Sequence, residues 1–336
     1  MTSKERVLHT LDFTGVDRLA RDVWVLPAAR SQYGETLDEI IRSFDADIIQ
    51  MCGPFDHAYT PEYFQIGKYT DPWGSEWTNI QEGIIGEVKN PIFADYKSLE
   101  GYIVPIQQFI DEFEDNRFNL ERQIAEQRTA EKFIIGGWIS LFERFQYLRG
   151  TEDLYCDIAL EDEAMFKMFD MVMDFMEVYL SKWLEMDIDA VTFGDDWGTQ
   201  ISLLISPVTW REHFRPRYQR LIDMIKASGK KVFFHSDGYI FDLYADFIEM
   251  GVDAINSQLW CMGVEKVAQQ FAGKITFWGE ISRQDILPNG SASEVLAAGK
   301  KMKELLFVNG GGLIGQSEIN RDVPLENLKA FTQAWD

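Results

Sequence analysis

The sequence predicts an α/β protein built as a single (β/α)8 TIM barrel over residues 1–336. Three observations lead to this prediction. Short strands rich in β-branched and aromatic residues alternate with amphipathic helices, and each strand–helix pair spans about 20 to 40 residues. The chain length suits one such barrel. No G-x-G-x-x-G segment follows a strand and opens a helix, which disfavours the competing doubly wound open sheet.

Elements of the first half follow this pattern. Thr2 precedes Glu5 at the start of an apolar helical period, which indicates a capped first helix. Residues 68–91 place Trp73 and Trp77 among glycines and polar residues, so we expect a β-hairpin or another extended excursion that forms a lid or a wall. The other predicted elements here are strands at 21–26, 46–51 and 133–139 and helices at 36–42 and 106–131.

The second half alternates more regularly. Residues 161–185 form the clearest amphipathic helix, rich in Met and Phe, and we interpret its apolar stripe as core rather than as a cofactor-binding surface. Gly310–Gly312 precede a strand instead of following one, which indicates a turn rather than a phosphate-binding loop. The other predicted elements are strands at 188–193, 231–235, 253–257, 274–278 and 312–315 and helices at 207–228, 241–250, 263–271, 291–307 and 324–334.

Composition excludes several classes of function. A net charge of −23 opposes binding to nucleic acid, because phosphate contacts need clustered Lys and Arg. Three widely spaced cysteines, Cys52, Cys156 and Cys261, give no disulfide framework and suit a reducing cytoplasm. The N-terminus has no apolar signal-peptide region, and no apolar run reaches about 18 residues, so we expect neither export nor membrane insertion.

Titratable side chains follow four predicted strands. In a parallel barrel these carboxyl-terminal strand ends share one mouth, where chemistry is done, so we expect the side chains to line one pocket. Two adjacent carboxylates, Asp195 and Asp196, cannot both ionise cheaply when partly buried, so one becomes a candidate general acid; alternatively they cap the next turn. His235 and Asp237 would share one face of a strand, as metal ligands or as an acid–base pair.

Glu280 and Glu318 follow the last two predicted strands. Both could supply oxygen ligands beside the nitrogen of a histidine, which makes His235, Asp237, Glu280 and Glu318 the candidate metal ligands. The alternative is that each carboxylate pairs with Arg283 or Arg321.

Aromatic and amide side chains near strand ends suit a flat or aromatic substrate. The alternative for each tryptophan is that it packs a helix onto a strand. The candidate substrate-binding residues are Trp24, His57, Trp197, Gln200 and Trp278.

Six segments spread over nearly the whole chain are specific when taken together: SKERVLHTL, YTDPWGSEW, DDWGTQISLLISPVTWREHFRPRYQRL, HSDGYIFDLYADFIEMGVDAINSQ, FWGEISRQDILP and DVPLENLKAF. With them the chain resembles the uroporphyrinogen decarboxylase superfamily and, within it, the corrinoid-linked methyltransferase branch. The resemblance implies a single (β/α)8 barrel with its cleft at the carboxyl-terminal face.

Two departures from the superfamily narrow what the resemblance implies. Its decarboxylases carry an Asp a few residues beyond the second strand, where our alignment puts Pro54, so nothing obvious would stabilise a pyrrole cation. Its coenzyme M methyltransferases bind zinc through a His-x-Cys pair and a later Cys. Here His235 matches the His, but Asp237 and Ser317 stand at the Cys positions. We therefore expect a site of oxygen and nitrogen ligands rather than a thiolate-rich zinc site.

These substitutions suggest the other half of corrinoid methyl transfer. The chain would take a methyl group from a small methoxylated compound and pass it to a Co(I) corrinoid carried by a partner protein. The alternative is a carboxy-lyase acting on a small acid or a tetrapyrrole. We expect a cytoplasmic enzyme and consider a homodimer as its oligomeric state. His235, Asp237, Glu280 and Glu318 would activate the ether oxygen by protonation or through zinc, and Asp195, Asp196 and Gln200 would orient the substrate.

Overall fold

A computed structural model describes residues 1–56 and 60–336. Eight parallel strands form one sheet in which β1 pairs with β8, and each strand from β8 back to β3 pairs with the one before it. Helices surround this nearly closed cylinder, which confirms the predicted (β/α)8 barrel. The strands are β1 Ala20–Arg21, β2 Ile48–Met51, β3 Phe133–Ile139, β4 Ala190–Gly194, β5 Lys231–Ser236, β6 Ala254–Ser257, β7 Thr276–Glu280 and β8 Leu313–Gln316.

The seam between β1 and β2 is joined by Asp47 rather than by a ladder of strand pairs. The Asp47 backbone N–H donates to the Arg21 carbonyl at 2.8 Å, and the Arg21 N–H donates to the Asp47 carboxylate at 2.9 Å. That buried carboxylate also pairs with Arg6 at 2.6 Å and Arg18 at 2.7 Å. Asp47 immediately precedes β2, so this ion-pair cluster lies at the amino-terminal end of the barrel.

Strands and helices follow the predicted alternation, but one predicted helix and one predicted strand are each divided in two. The capped first helix is confirmed, since Thr2 and Glu5 form a capping box. The helix predicted at 207–228 is two helices separated at Phe214, because Pro216 cannot continue a helix as a backbone donor. The α-helices are α1 Ser3–Leu11, α2 Pro27–Phe44, α3 Ile106–Thr129, α4 Phe142–Arg149, α5 Thr151–Leu160, α6 Glu163–Leu184, α7 Pro207–His213, α8 Arg215–Ala227, α9 Tyr244–Met250, α10 Leu259–Met262, α11 Val264–Phe271, α12 Ile286–Asn289, α13 Ala292–Leu306 and α14 Leu325–Ala334.

The divided strand is the one predicted at 21–26. It divides after Arg21, and the separate pair Trp24–Val25 joins Glu318–Ile319 in a small parallel sheet of its own. This second pairing turns the chain from the barrel wall toward the mouth. Trp24 and Glu318 are therefore neighbours, although they lie near opposite ends of the sequence.

The core has two layers. Inside the barrel, side chains from the strands pack together, and Val7 and Leu11 of α1 belong to the same cluster. Between strands and helices lies the larger core, to which α6 contributes Met165, Met168 and Phe169 among others. This confirms that the apolar stripe of α6 is core. Within the described residues, no helix combines the length and apolar character needed to cross a bilayer.

The excursion after β2 forms a three-stranded antiparallel sheet from Gly67–Thr70, Glu76–Asn79 and Glu87–Asn90. Its tryptophans, Trp73 and Trp77, are buried. Asp71 accepts from the Trp77 indole N–H at 3.1 Å and pairs with Arg144 of α4 at 3.0 Å, and the Arg144 guanidinium lies 4.9 Å from the Trp73 ring. These contacts fasten the small sheet to the barrel beside β3.

Candidate active site

The mouth of the barrel brings together side chains from β4, β5 and β6. In the sheet, Gly194 and Asn256 lie on either side of His235, which ends the buried run of β5. Asp196 follows β4, and Asp237 follows β5. Strand register therefore places the His235 imidazole close to two carboxylates, Asp196 in the loop after β4 and Asp237 in the loop after β5.

His235 is held in one orientation by Asn256. The Asn256 amide donates its N–H groups to the Trp278 carbonyl at 2.6 Å and to Gln316 Oε1 at 2.9 Å, so its Oδ1 is left as the acceptor. His235 Nδ1 lies 2.7 Å from that oxygen and carries the proton of the neutral ring. Nε2 therefore keeps its lone pair for a ligand or a proton.

Two carboxylates face that nitrogen. Asp196 Oδ1 lies 3.6 Å and Asp237 Oδ1 lies 3.7 Å from His235 Nε2. Asp196 also accepts from the Asp237 backbone N–H at 2.8 Å, which fixes one carboxylate relative to the other. The ligand atoms of Asp196, His235 and Asp237 all lie within 4.8 Å of one another. They form one cluster at the mouth.

Arg283 changes the candidate ligand set. Its guanidinium donates to Asp237 Oδ2 and, at 2.6 Å, to Glu318 Oε1, and its Nε lies 3.6 Å from Glu280 Oε2. A fixed positive charge thus already occupies the position between these carboxylates, so the ion-pairing alternative describes Glu318. The structure groups Asp196, rather than Glu280 and Glu318, with His235 and Asp237.

Glu280 has a carboxyl group whose pKa is strongly shifted by its surroundings. Burial, and then the nearby charges of Glu318 and Asp196, raise the pKa of this carboxyl well above its usual range. Its surroundings therefore favour the protonated form of Glu280 more than those of an exposed glutamate would. An open cleft of about 420 Å³ lies beside it, lined by Asp237, Arg283 and Glu318 and by the segment after β8.

Asp195 has a different role from the one the sequence suggested. Its buried carboxylate accepts from the backbone N–H groups of Leu141 and Glu143 at 2.7 and 2.9 Å and from the Tyr218 hydroxyl at 2.6 Å. Burial raises the pKa of Asp195 to about 7. It caps the start of α4 rather than the turn that follows it in the chain, and only Asp196 of the pair faces His235.

Two aromatic rings lie against His235, and a third, the buried Trp278, lies behind one of them. Trp24 and Trp138 have ring centroids 5.3 and 5.8 Å from the imidazole, and Trp278 packs edge-on against Trp24 at 4.9 Å. Trp197 is elsewhere: it is buried and stacks on Phe142 at 4.0 Å, so it packs a helix onto the barrel and does not line the mouth.

The remaining substrate-binding candidates are Gln200 and His57. The Gln200 amide donates to Gln258 Oε1, which ties the loop after β4 to the one after β6. His57 lies outside the described residues.

Asp56 supplies a carboxylate that the sequence comparison did not find. It lies two residues beyond Pro54, accepts from the Gly53 N–H at 2.8 Å and from the Tyr179 hydroxyl, and is buried. Burial raises the pKa of Asp56 to about 7. Asp56 and Arg144 line a cavity of about 30 Å³ next to Trp138. Its position after a strand was the available signal, but our alignment matched Pro54, and not Asp56, to the Asp of the decarboxylases.

Glu143, Trp138 and Asn256 were also missed. Burial, with the charges of Asp196 and Asp195, raises the pKa of Glu143 well above its usual range, and Ser140 and Tyr147 lie within hydrogen-bonding reach. Trp138 and Asn256 each lie near a strand end. Their location near a strand end was the only signal in the sequence. Their contacts with His235 depend on strand register, which the sequence does not show.

Comparison with known proteins supports the architecture. Residues 78–336 match the family model described as uroporphyrinogen decarboxylase (URO-D). A methyltransferase from Methanosarcina mazei superposes with a TM-score of 0.71 at 16% sequence identity, covering 99% of this chain and 98% of that one, which shows a shared fold. A structure of L-ribulose 3-epimerase gives a TM-score of 0.43 at 12% identity, covering 95% and 88% of the two chains. No curated protein matches the chain.

Proposed function

The chain belongs to the uroporphyrinogen decarboxylase family, and we propose that it is a methyltransferase. Its substrate would be a small methoxylated compound, aromatic in the first instance, and the acceptor a corrinoid carried by a partner protein. A methyltransferase from Methanosarcina mazei has the same fold over almost the whole chain. The substrate is proposed from the site, and the corrinoid partner from the resemblance of the sequence to the corrinoid-linked branch of the superfamily.

One observation carries the proposal. His235 presents Nε2, with Nδ1 held by Asn256, between two carboxylates and against the rings of Trp24 and Trp138. Flat aromatic walls receive a ring, and a polar group fixed beside them can act on an oxygen attached to that ring.

The ether oxygen is the leaving-group atom, and it must be activated before the methyl group can depart. A phenolate leaving group has a parent pKa of about 10, so a proton delivered as the methyl group departs lowers the barrier. Protonated His235, flanked by Asp196 and Asp237, would deliver it from Nε2. Arg283 would hold Asp237 in place, and Trp24 would position the ring of the substrate.

Zinc fits the same three residues. Asp237 Oδ1 is buried and has no hydrogen-bond partner among the described residues, as expected of an oxygen that awaits a ligand. His235, Asp196 and Asp237 would hold the ion, and Asn256 would orient the histidine from behind. Bound zinc supplies a Lewis acid that polarises the ether oxygen.

A second candidate is decarboxylation of a small acid, which Asp56 favours. This buried carboxyl, with a pKa raised to about 7, shares a cavity with the guanidinium of Arg144. A cation that could bind a substrate carboxylate thus lies close to a group that could move a proton.

One assay separates the two reactions. The protein is incubated with a Co(I) corrinoid carrier protein and a panel of methoxylated aromatic compounds, and both methylcobalamin absorbance and CO2 are recorded. Methylcobalamin without CO2 is the expected result. Release of CO2 from small acids, with no change in the corrinoid spectrum, would favour the decarboxylase instead.

Replacing His235 by Ala tests the site itself. We expect turnover to fall by at least about 10²-fold, since a positioned acid–base group contributes at least that much. The melting temperature should change little, because the side chain is at the mouth rather than in the core. His9→Ala is the control, since His9 lies on α1 and contacts Thr14. If His235→Ala unfolds while its residual folded fraction stays active, His235 is a packing residue.

A further inference from the structure

We propose a second metal-ion site, on the outer side of the barrel, formed by Glu161, Glu212 and His213. One carboxylate oxygen from each glutamate and a ring nitrogen of His213 lie within 4.8 Å of one another. Glu161 follows α5, and the other two residues end α7. The site shares no residue with the cluster around His235.

The histidine is the first reason to assign a ligand here. Only 7% of His213 is exposed, and its ring packs against Phe166 at 5.5 Å. Within the described chain, no residue outside the cluster forms a hydrogen bond with the ring, and Nε2 lies 3.8 Å from Glu161 Oε1. The ring is packed in place and also lines the groove beside the cluster, so a ring nitrogen is held where it can serve as a metal ligand.

The charges are the second reason. Two glutamates face the same point, and neither has a lysine or arginine within ion-pair distance in the described structure. A divalent cation would relieve their mutual repulsion. One imidazole nitrogen and two carboxylate oxygens form a set that zinc and other first-row divalent ions accept, with a coordination position left open.

The surroundings indicate what the ion would do. The three cluster residues line one side of a groove of about 460 Å³, together with apolar residues such as Leu160, Leu204 and Ile205. The ion would join the turn between α5 and α6 to α7, which continues the loop that begins with Asp196. We therefore assign it a structural role: it fastens the outer end of that loop.

The test uses metal-stripped full-length protein in the His235→Ala background, so that the mouth cluster does not contribute. Zn²⁺ alone is titrated by calorimetry, and the melting temperature is recorded with and without it. We expect one bound equivalent and a raised melting temperature. Adding E161Q or E212Q should weaken zinc binding at least about tenfold. E163Q removes an exposed charge two residues from Glu161 and should leave zinc binding unchanged.

Two results would overturn the proposal. One is that His235→Ala binds no zinc equivalent. The other is that E161Q and E212Q bind zinc as tightly as E163Q. Both glutamates are exposed, so these variants fold independently of whether the proposal is right. The outcome does not depend on methyl transfer.

Discussion

Three aspartates of the barrel, Asp22, Asp56 and Asp195, are buried, and burial raises the pKa of each to about 7. Each is held by donors from separate parts of the chain; Asp22, for example, accepts from the Trp278 indole at 2.9 Å. In the unfolded chain such a carboxyl ionises near pH 4. Between about pH 4 and pH 7 the folded protein therefore binds protons that the unfolded chain has lost.

This difference predicts a pH effect at Asp22. More protons on the folded state mean that stability falls as pH rises through the window from about 4 to 7. Asp22→Asn keeps an oxygen for Trp278 but cannot titrate. Relative to this variant, wild type should lose stability between pH 5 and pH 8, by at most about 3 kcal/mol, because the two units from pH 5 to the folded pKa of about 7 each contribute about 1.4 kcal/mol. Urea unfolding at both pH values measures it.

Asp17 provides the control, because its shift has the opposite sign. A hydrogen bond from Arg6 lowers the pKa of Asp17, so its contribution to stability is lost only as pH falls below the usual range of a carboxyl. The difference between wild type and Asp17→Asn should not change between pH 5 and pH 8. A difference between wild type and Asp22→Asn that is equally flat would contradict the assignment.

For single residues, the sequence predicts which side chains lie near the mouth of the barrel, but not the direction in which each side chain points. Asp195 and Asp196 are adjacent and chemically identical. The structure separates them because the backbone N–H groups at the start of α4 donate to the carboxylate of Asp195 and not to that of Asp196. The contact of Asn256 with His235 arises from the register of β5 and β6, which no local pattern specifies.

Among the elements, the loops after β4 and β5 determine the geometry of the site. They pack backbone against backbone: the Gly198 N–H donates to the Asp237 carbonyl at 3.2 Å, and the Tyr239 N–H donates to the Thr199 carbonyl at 2.7 Å. Gly238 has φ +79°, and a Cβ there would lie 2.1 Å from the Gly198 carbonyl oxygen. The absence of a side chain at Gly238 keeps the two loops in contact.

Replacing Gly238 by Ala should therefore impair both stability and activity. The new methyl group must push the loops apart, which separates Asp196 from Asp237. Gly229→Ala is a matched control, since Gly229 has φ +78° with nothing within 4 Å of the added Cβ. Backbone strain alone should destabilise that variant by about 1 to 2 kcal/mol. We expect Gly238→Ala to cost more in urea unfolding and to lose activity that Gly229→Ala retains. Equal effects would show that only the backbone conformation matters.

The order of elements was predictable because hydrophobic period and length are local properties. Boundaries failed where a tertiary contact or a single proline intervenes. The strand predicted at 21–26 divides because Trp24–Val25 pairs with Glu318–Ile319, which lies almost three hundred residues away in the chain. The break at Phe214 could have been predicted from Pro216, whose ring and missing N–H end the preceding helix.

Over the whole molecule, the two ends of the barrel have different tasks. The carboxyl-terminal mouth holds His235, Asp196 and Asp237, whereas Asp47 joins β1 to β2 at the other end. Barrel enzymes in general keep stability at the amino-terminal face and chemistry at the carboxyl-terminal one. The sequence predicts this division, since the four polar strand ends all belong to one face. The sequence does not show that β1 and β2 are joined through Asp47 instead of by hydrogen bonds between paired strand residues.

That division predicts an outcome for Asp47→Asn. The change leaves Arg6 and Arg18 facing a neutral, buried amide, and breaking a buried ion pair costs about 3 to 5 kcal/mol. Asp45→Asn is the control: its side chain is 69% exposed and pairs with Lys132 at 2.7 Å, so its loss should cost about 1 kcal/mol or less. Urea unfolding gives both values, and turnover per folded molecule should match wild type in both variants. If Asp47→Asn stays folded yet loses turnover, the two ends of the barrel are coupled and stability and chemistry are not divided as proposed.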